Sequence, residues 1–382
     1  MYTLEVTQDI NDIRERQAIN HPSWGMPLSL DAYQYRDGVN YYHPYMNLER
    51  SDGANGVIYF LLRNDETGNV ESACEVLIRD AWLKDEDGTL KDVKCGVLGS
   101  VFTDPKFRGK GNANVLMTKF NLKMKEFLKA ENDILFLYSE IGEYYAKFGY
   151  CSENVPVWQL KSADTKELWD DASSQWEKVT PVHFKRIADD YAERLQKIMR
   201  DHTGKSSGSA FCVRPTGDIL EWFANRARVT QWGIKLVGED FPRPPCVKNY
   251  KENEHPSDDL VYGLYLEDEY IVWQPEFKSD KILILMINAK SIERVRYLLE
   301  RARAYAHFSG ISKVEIWRDE VLDFNNSGKK LTLAAPEVSA LLSQLKADEI
   351  LENESLGALK WVHDDGPRTN ITWIGNGKWC WF

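Results

Sequence analysis

Residues 93–130 constrain the fold more tightly than any other part of this 382-residue chain. An apolar strand ending in Val101-Phe102-Thr103 runs into the loop Asp104-Pro105-Lys106-Phe107-Arg108-Gly109-Lys110-Gly111. That loop opens a helix predicted over 112–130, with Val115, Leu116, Phe120, Met124, Phe127 and Leu128 on one face and lysines opposite. From Asp104 to Lys125, six basic residues (Lys106, Arg108, Lys110, Lys119, Lys123, Lys125) stand against one acid, Asp104, in a chain whose net charge is −11. The acidic chain as a whole is not built for a nucleic acid, and a basic patch confined to this one segment suits a small anion. The small residues allow close backbone approach, and the unpaired N–H groups of the helix start favour a pyrophosphate. The loop fits neither the Walker pattern nor the Rossmann pattern.

Strands are predicted at 4–7, 56–63, 70–83, 93–103, 134–138 and 155–160, and helices at 9–18, from Ser29, at 112–130 and at 144–148. This order reads as an α/β layered (α+β) domain closing near residue 165. A polar stretch, 163–180, reads as a linker, and 181–200 as a helix. The small-residue loop 204–209 reads as a connector, because Met199 stands where a phosphate loop needs glycine. The hairpin 261–266/270–274, the strand 281–287, the helix 292–308 and the strand 313–317 then repeat the strand–strand–strand–helix–strand order. The expectation is a structural duplication, divided as 1–165 and 181–382. Only Asn288-Ala289-Lys290 separates strand from helix in the second copy, so that copy lacks a phosphate loop.

No basic and apolar leader opens the chain, and no run reaches the length of a membrane span. The six cysteines are scattered without a C-x-x-C pair, which offers neither a zinc template nor a disulfide framework. The expectation is a cytoplasmic protein with no metal, no membrane partner and no nucleic acid.

Arg108, Gly111 and Ala113 match Arg/Gln-x-x-Gly-x-Gly/Ala, and the segment resembles the acyl-CoA pyrophosphate loop of the GNAT acetyltransferases. The resemblance implies acetyl-CoA as co-substrate, held by Val101, Phe102, Thr103, Arg108, Gly109, Lys110, Gly111, Asn112 and Ala113. It also implies a backbone N–H near Val101 or Phe102 facing the thioester oxygen. Tyr145-Ala146-Lys147-Phe148-Gly149-Tyr150 resembles the Tyr-x-x-x-Gly-aromatic segment of the same superfamily, which makes Tyr145 the acid that protonates the departing thiolate. Residues 21–30, 72–77, 211–216 and 376–381 resemble the fungal lysine N6-acetyltransferases of lysine catabolism. What this implies is a GNAT-type N-terminal domain, a degenerate GNAT-like C-terminal domain walling the acceptor site, and acetyl transfer to the ε-amine of free L-lysine. The alternatives are another small amine, such as a polyamine or an aminoglycoside, and a CoA-binding sensor without catalysis.

An ε-amine must shed its proton before it attacks, at a cost of roughly 4.6 kcal/mol at neutral pH. Many members of the superfamily carry a glutamate midway along the strand before the loop. Here that strand reads Cys95-Gly96-Val97-Leu98-Gly99-Ser100, without a carboxylate. Glu75 on the neighbouring strand and Glu140 before the tyrosine segment are candidates in its place. The third is the α-carboxylate of Phe382. The apolar end Trp379-Cys380-Trp381-Phe382 should be buried, and residues 139–150 resemble the enhanced-intracellular-survival aminoglycoside acetyltransferases, whose chain end lies in the active site. For the acceptor, Trp24, Tyr33, Arg36, Glu140 and Arg214 are the expected contacts.

Overall fold

The chain opens with β1 (Tyr2–Thr7) and two capped helices. The Asp9 carboxylate accepts from the Asn11 N–H at 2.7 Å to start α1 (Ile10–Trp24), and Ser29 accepts from the Ala32 N–H at 3.2 Å to start α2 (Leu30–Tyr42). The computed structural model describes residues 1–43, 46, 56–165, 169, 175–202, 208–235, 260–321, 336–364 and 371–382. Of the sequence readings, most of the connector at 204–209, much of the linker and Cys246 lie outside these residues.

Strands β2 (Gly56–Asn64), β3 (Val70–Lys84) and β4 (Leu90–Thr103) form an antiparallel meander. The crossover helix α3 (Asn112–Phe127) then returns the chain as β5 (Ile134–Ser139), parallel to β4. After β6 (Cys151–Glu153), β7 (Val157–Lys161) and β8 (Glu177–Lys178) come α4 (Pro181–Asp201), β9 (Ser209–Val213) and α5 (Gly217–Lys235). A second meander follows, β10 (Gly263–Leu266), β11 (Glu269–Glu276) and β12 (Lys281–Asn288), crossed by α6 (Ile292–Phe308) to β13 (Lys313–Trp317). The chain finishes with β14 (Asp348–Ile350), β15 (Leu356–Trp361) and β16 (Ile371–Trp373).

The predicted duplication is visible in the topology. β10–β11–β12–α6–β13 repeats β2–β3–β4–α3–β5, and β12 runs parallel to β13 as β4 does to β5. The two sheets also trade strands, which element order alone does not reveal. The first sheet runs β1-β2-β3-β4-β5-β15-β6, with β9 on β3 and β16 on β9; the second runs β14-β7-β13-β12-β11-β10-β8. The strand expected at 155–160 to close the first layer thus lies in the second sheet, antiparallel to β13, while β15 fills the place beside β5.

Side-chain alternation sorts the first sheet into two faces. On β5, Leu135 and Leu137 pack with Leu116, Phe120 and Met124 of α3. Ile134 and Phe136 face the other way, into a core shared with α4, α5, the second sheet and the C-terminal segment. α6 covers the far face of the second sheet. The last residues belong to the central core, and Trp379 and Cys380 are fully buried. Arg79 on β3 donates to the Cys380 carbonyl at 2.7 Å, and the Tyr138 hydroxyl on β5 donates to the Gly377 carbonyl at 3.1 Å. Together they draw the chain end across the first sheet.

Candidate active site

The pairing of β4 with β5 stops at Leu98 opposite Leu137, and beyond it the two strands part. On its other side β4 carries a bulge. Ala73 faces Phe102 and Glu75 faces Gly99, so Ser100 and Val101 together oppose Cys74. Ser100 takes a φ of +50°, uncommon for a residue with a side chain. The edge of 99–103 that faces away from β3 therefore has no strand partner among the described residues. The strands part there, and an edge of this kind can turn backbone N–H groups toward an oxyanion. This is the region where a donor near Val101 or Phe102 was expected.

The loop after β4 is built as a cradle. A short 3₁₀ turn, Pro105–Phe107, is capped by Asp104 and followed by exposed Arg108. Gly109 (φ +79°) and Gly111 (φ +82°) both take left-handed conformations, and a Cβ added at either would meet nothing within 4 Å. Gly111 caps α3, and the first N–H groups of α3, from Asn112 and Ala113, have no acceptor within the helix. Arg108 lies over the Phe102 ring at 5.2 Å and donates to the Thr103 carbonyl at 3.1 Å; Lys110 lies over Phe107.

Beneath the cradle is a carboxylate that sequence reasoning missed. Buried Glu71 accepts from Tyr2 Oη at 3.0 Å, Asn64 Nδ2 at 2.9 Å and Asn112 Nδ2 at 2.5 Å. Burial works against its charge, and these three hydrogen bonds outweigh it, holding the carboxyl below its usual range. Glu71 thus ties the first residue of α3 to β1 and β2, fixing the cradle's floor.

At the bulge, Glu75 is held from two sides. Arg16 of α1 donates to Oε2 at 2.7 Å, and the Ser100 hydroxyl donates to Oε1. Arg16 is buried and Glu75 is only slightly exposed, and the Arg16 guanidinium lies 4.9 Å from the centre of the Tyr59 ring. Burial alone would weaken the Arg16 charge, and Glu75 first, then Tyr59, Tyr33 and Asp37, more than restore it. Neither Arg16 nor Ser100 was singled out in the sequence. The available signal was a carboxylate set between apolar residues on a strand, which demands a buried partner.

Phe382 arrives at the same spot. A Cβ on Gly99 would stand 3.0 and 3.1 Å from Phe382 ring carbons and 3.9 Å from the Glu75 Cγ. The chain end and Glu75 therefore border the bulge together.

Tyr145 closes the other side. Ser139, the last residue of β5, accepts from the Ile141 N–H and donates to the Gly142 carbonyl, setting the 3₁₀ segment Gly142–Phe148. Tyr145 is 8% exposed between Tyr144 and Tyr150, and its hydroxyl has no hydrogen bond among the described residues. Burial first, then Cys74, Tyr144 and Glu140, push the phenol's pKa well up, so it stays protonated at neutral pH. Tyr144 instead donates to Asn114 on α3 at 3.1 Å, a packing role.

The expected acceptor contacts divide. Trp24, at the end of α1, meets the Phe102 ring edge-on at 5.3 Å and so flanks the cradle's mouth. Arg36 is buried, pairs with Asp37 at 2.7 Å and lies over Tyr33 at 4.7 Å. Glu140 is exposed and lies within electrostatic reach of Tyr145, Lys278 and Lys378. Arg214 lies over Trp82, its backbone N–H bonded to the Asp80 carbonyl, at the far end of β3 from the bulge.

Residues 158–382 match the family described as the LYC1 GNAT-like C-terminal domain. The chain belongs to this family. It is a GNAT-type N-acetyltransferase whose two sheets are GNAT-like units, and it resembles the fungal lysine acetyltransferases. Over 416 aligned residues it is 22% identical to the lysine acetyltransferase of Yarrowia lipolytica, covering 97% of this chain and 98% of that one. It is 24% identical over 355 residues to the uncharacterized protein YGR111W of Saccharomyces cerevisiae, covering 86% and 82%. Among solved structures, a conserved Enterococcus faecalis V583 protein described as a "Probable N-Acyltransferase" superposes with a TM-score of 0.52 at 11% identity, over 95% of this chain and 73% of that one.

GNAT acetyltransferases use acetyl-CoA, and the residues here fit its pyrophosphate. The cradle is open, glycine-built, exposed and led by helix N–H groups. Among the described residues no group of three or more His, Cys, Asp or Glu is placed to hold a metal ion, and no helix is long and apolar enough to cross a membrane.

Proposed function

We propose that the protein acetylates the ε-amino group of free L-lysine, giving N6-acetyl-L-lysine and CoA, as a step of lysine catabolism. The observation that carries the chemistry is the parting of β4 from β5 at Leu98, with Glu75 and Ser100 on one side and Tyr145 on the other. Lysine as acceptor is supported by the name of the Yarrowia lipolytica relative, which aligns over nearly the whole of both chains.

Acetyl-CoA, when bound, supplies a thioester activated toward attack by nitrogen. Gly109, Gly111 and the start of α3 hold its pyrophosphate, with Val101, Phe102, Thr103, Arg108, Lys110, Asn112 and Ala113 around it. The unpaired N–H groups of the β4 edge receive the thioester oxygen. Glu75, oriented by Arg16, takes the amine's proton through the Ser100 hydroxyl or a water, and Tyr145 gives its proton to the departing thiolate. The Phe382 carboxylate is the alternative acceptor, because the ring of that residue lies over Gly99. Trp24, Arg36 and Glu140 line the acceptor's approach. In this reading residues 1–165 form the catalytic unit and 181–382 wall it and lend it β9, β15 and β16. The five described cysteines are free, which suits a reducing compartment such as the cytoplasm.

A thiol-release assay with L-lysine, spermidine and an aminoglycoside, with the product's acetyl position read by NMR, tests the proposal. Lysine should give the highest kcat/KM and an N6 product. Fastest turnover of spermidine or the aminoglycoside would overturn the substrate. Tight CoA binding without release toward any amine would favour the sensor.

A further inference from the structure

Two enclosed cations form no ion pair among the described residues. Arg226, on α5, lies over Trp222 at 5.6 Å and over Trp381 at 5.2 Å, and Lys378 lies over the same Trp381 ring at 4.4 Å. Neither side chain forms an ion pair or a hydrogen bond among the described residues. Both keep some accessible surface while being closely surrounded by protein. Burial and the neighbouring Arg36 push Arg226 down to about 10, and burial also lowers Lys378. Nearby Arg36 is satisfied by Asp37 and Arg16 by Glu75. Enclosed charges in native proteins are ordinarily paired, whereas among the described residues these two meet acidic groups such as Asp37 and Glu276 only through the field, without a direct contact.

One carboxylate in the same field is also unclaimed. Glu276, the last residue of β11, is half-buried and makes no ion pair or hydrogen bond from its side chain among the described residues. It acts electrostatically on Arg36, Arg226, Lys278 and Lys378. An inorganic anion or a phosphate would meet its repulsion. A molecule carrying a carboxylate and an ammonium on one carbon would satisfy both signs at once. The place is right for an acceptor, because Trp381 immediately precedes Phe382, whose ring lies on Gly99 beside the bulge. Lys278, donating to the Ser23 carbonyl at 3.1 Å, brings the end of β11 to the end of α1.

We propose that Arg226 and Lys378 bind the α-carboxylate of the acceptor and Glu276 its α-ammonium, so that the enzyme reads a free amino acid and rejects plain diamines. The proposal rests on the free-lysine reading and adds the residues that enforce it. The acceptor's four methylenes then extend from the tryptophan side toward Glu75.

The test compares L-lysine, cadaverine (no carboxylate) and 6-aminohexanoate (no α-ammonium) by kcat/KM, with lysine binding to the CoA-saturated enzyme measured by calorimetry. Wild-type enzyme should prefer lysine to each analogue by roughly 10- to 100-fold per lost charged contact. Arg226→Gln and Lys378→Gln should each lower the lysine-to-cadaverine ratio by about that factor and weaken calorimetric lysine binding equally. Glu276→Gln should lower the lysine-to-6-aminohexanoate ratio. Equal losses on lysine and cadaverine in both cation variants, or a wild-type enzyme that takes cadaverine as well as lysine, would overturn the assignment while leaving acetylation of an amine intact. Turnover of none of the three amines by wild type would remove the lysine reading and this proposal together. The wild-type comparison needs no variant, so a misfolded substitution cannot shield the proposal.

Discussion

Replacing Gly111 by alanine separates the backbone's demand for glycine from the ligand's. Gly111 sits at φ +82° and ψ 8°, and an added Cβ would meet nothing within 4 Å. No collision is therefore incurred in the free protein. The left-handed backbone costs a residue with a Cβ about 1–2 kcal/mol, and the stiffer unfolded chain returns about 0.4–1 kcal/mol. The net destabilisation should be about 1 kcal/mol. The space the methyl enters is the cradle itself, where close approach allows N–H groups to reach a pyrophosphate. Loss of one or two charge-assisted hydrogen bonds, each about 1.5–3 kcal/mol, weakens CoA binding by roughly 10- to 10,000-fold. A matched control exists in Gly88, in the β3–β4 turn, with φ +86° and an equally empty surrounding. Gly88→Ala should show the same loss of stability in a melting experiment and an unchanged Kd for CoA in calorimetry. Equal Kd values for Gly111→Ala, Gly88→Ala and wild type would refute the cradle, and with it the placement of the whole site.

Tyr145→Phe should lower kcat by about 10²–10³-fold while leaving CoA binding intact. Stability should stay within about 0.5 kcal/mol, because the hydroxyl holds no hydrogen bond among the described residues; calorimetry and melting check both. The raised phenol pKa fixes the sign of the pH effect: the proton is kept past the ordinary value of 10.0, so no falling limb of the rate below about pH 10 belongs to Tyr145. Its contribution to stability is whole below that pH and is lost as pH climbs through the folded value. Glu75→Gln should cost about 10²–10⁴-fold in kcat/KM and, by leaving buried Arg16 without its anion, about 3–5 kcal/mol of stability in denaturant titration. One glycine appended after Phe382 displaces the α-carboxylate while keeping the ring. If Glu75 is the base, turnover in the thiol-release assay should fall less than tenfold, and a loss as large as that of Glu75→Gln would transfer the role to the chain end.

How much of this was legible in the residues depends on how far each feature reaches. The cradle was, because strand, glycines, basic residues and amphipathic helix all lie within 93–130 and each signal is local. The second unit was legible as an element order, since β10–β11–β12–α6–β13 repeats the first in sequence. α5 was not, because four buried residues in succession, Trp222, Phe223, Ala224 and Asn225, blur the helical period. The traded strands were not, because either β7 or β15 could satisfy the edge of β5, and only the packed whole decides between them. The Glu75 site shows the limit most sharply. Its carboxylate could be picked out from the apolar residues around it, but its partner stands 59 positions earlier on a helix with a weak apolar face. Its second donor, Ser100, turns toward it only because one extra residue in β4 reverses the local pleat. A bulge carries no composition of its own, so the device that brings Glu75, the parted edge of β4 and Phe382 together emerges only from register. The same reasoning explains why Arg226 and Lys378 escaped notice: each is an ordinary cation in its own segment, and their lack of an ion pair among the described residues becomes visible only when α5 and the chain end meet over Trp381.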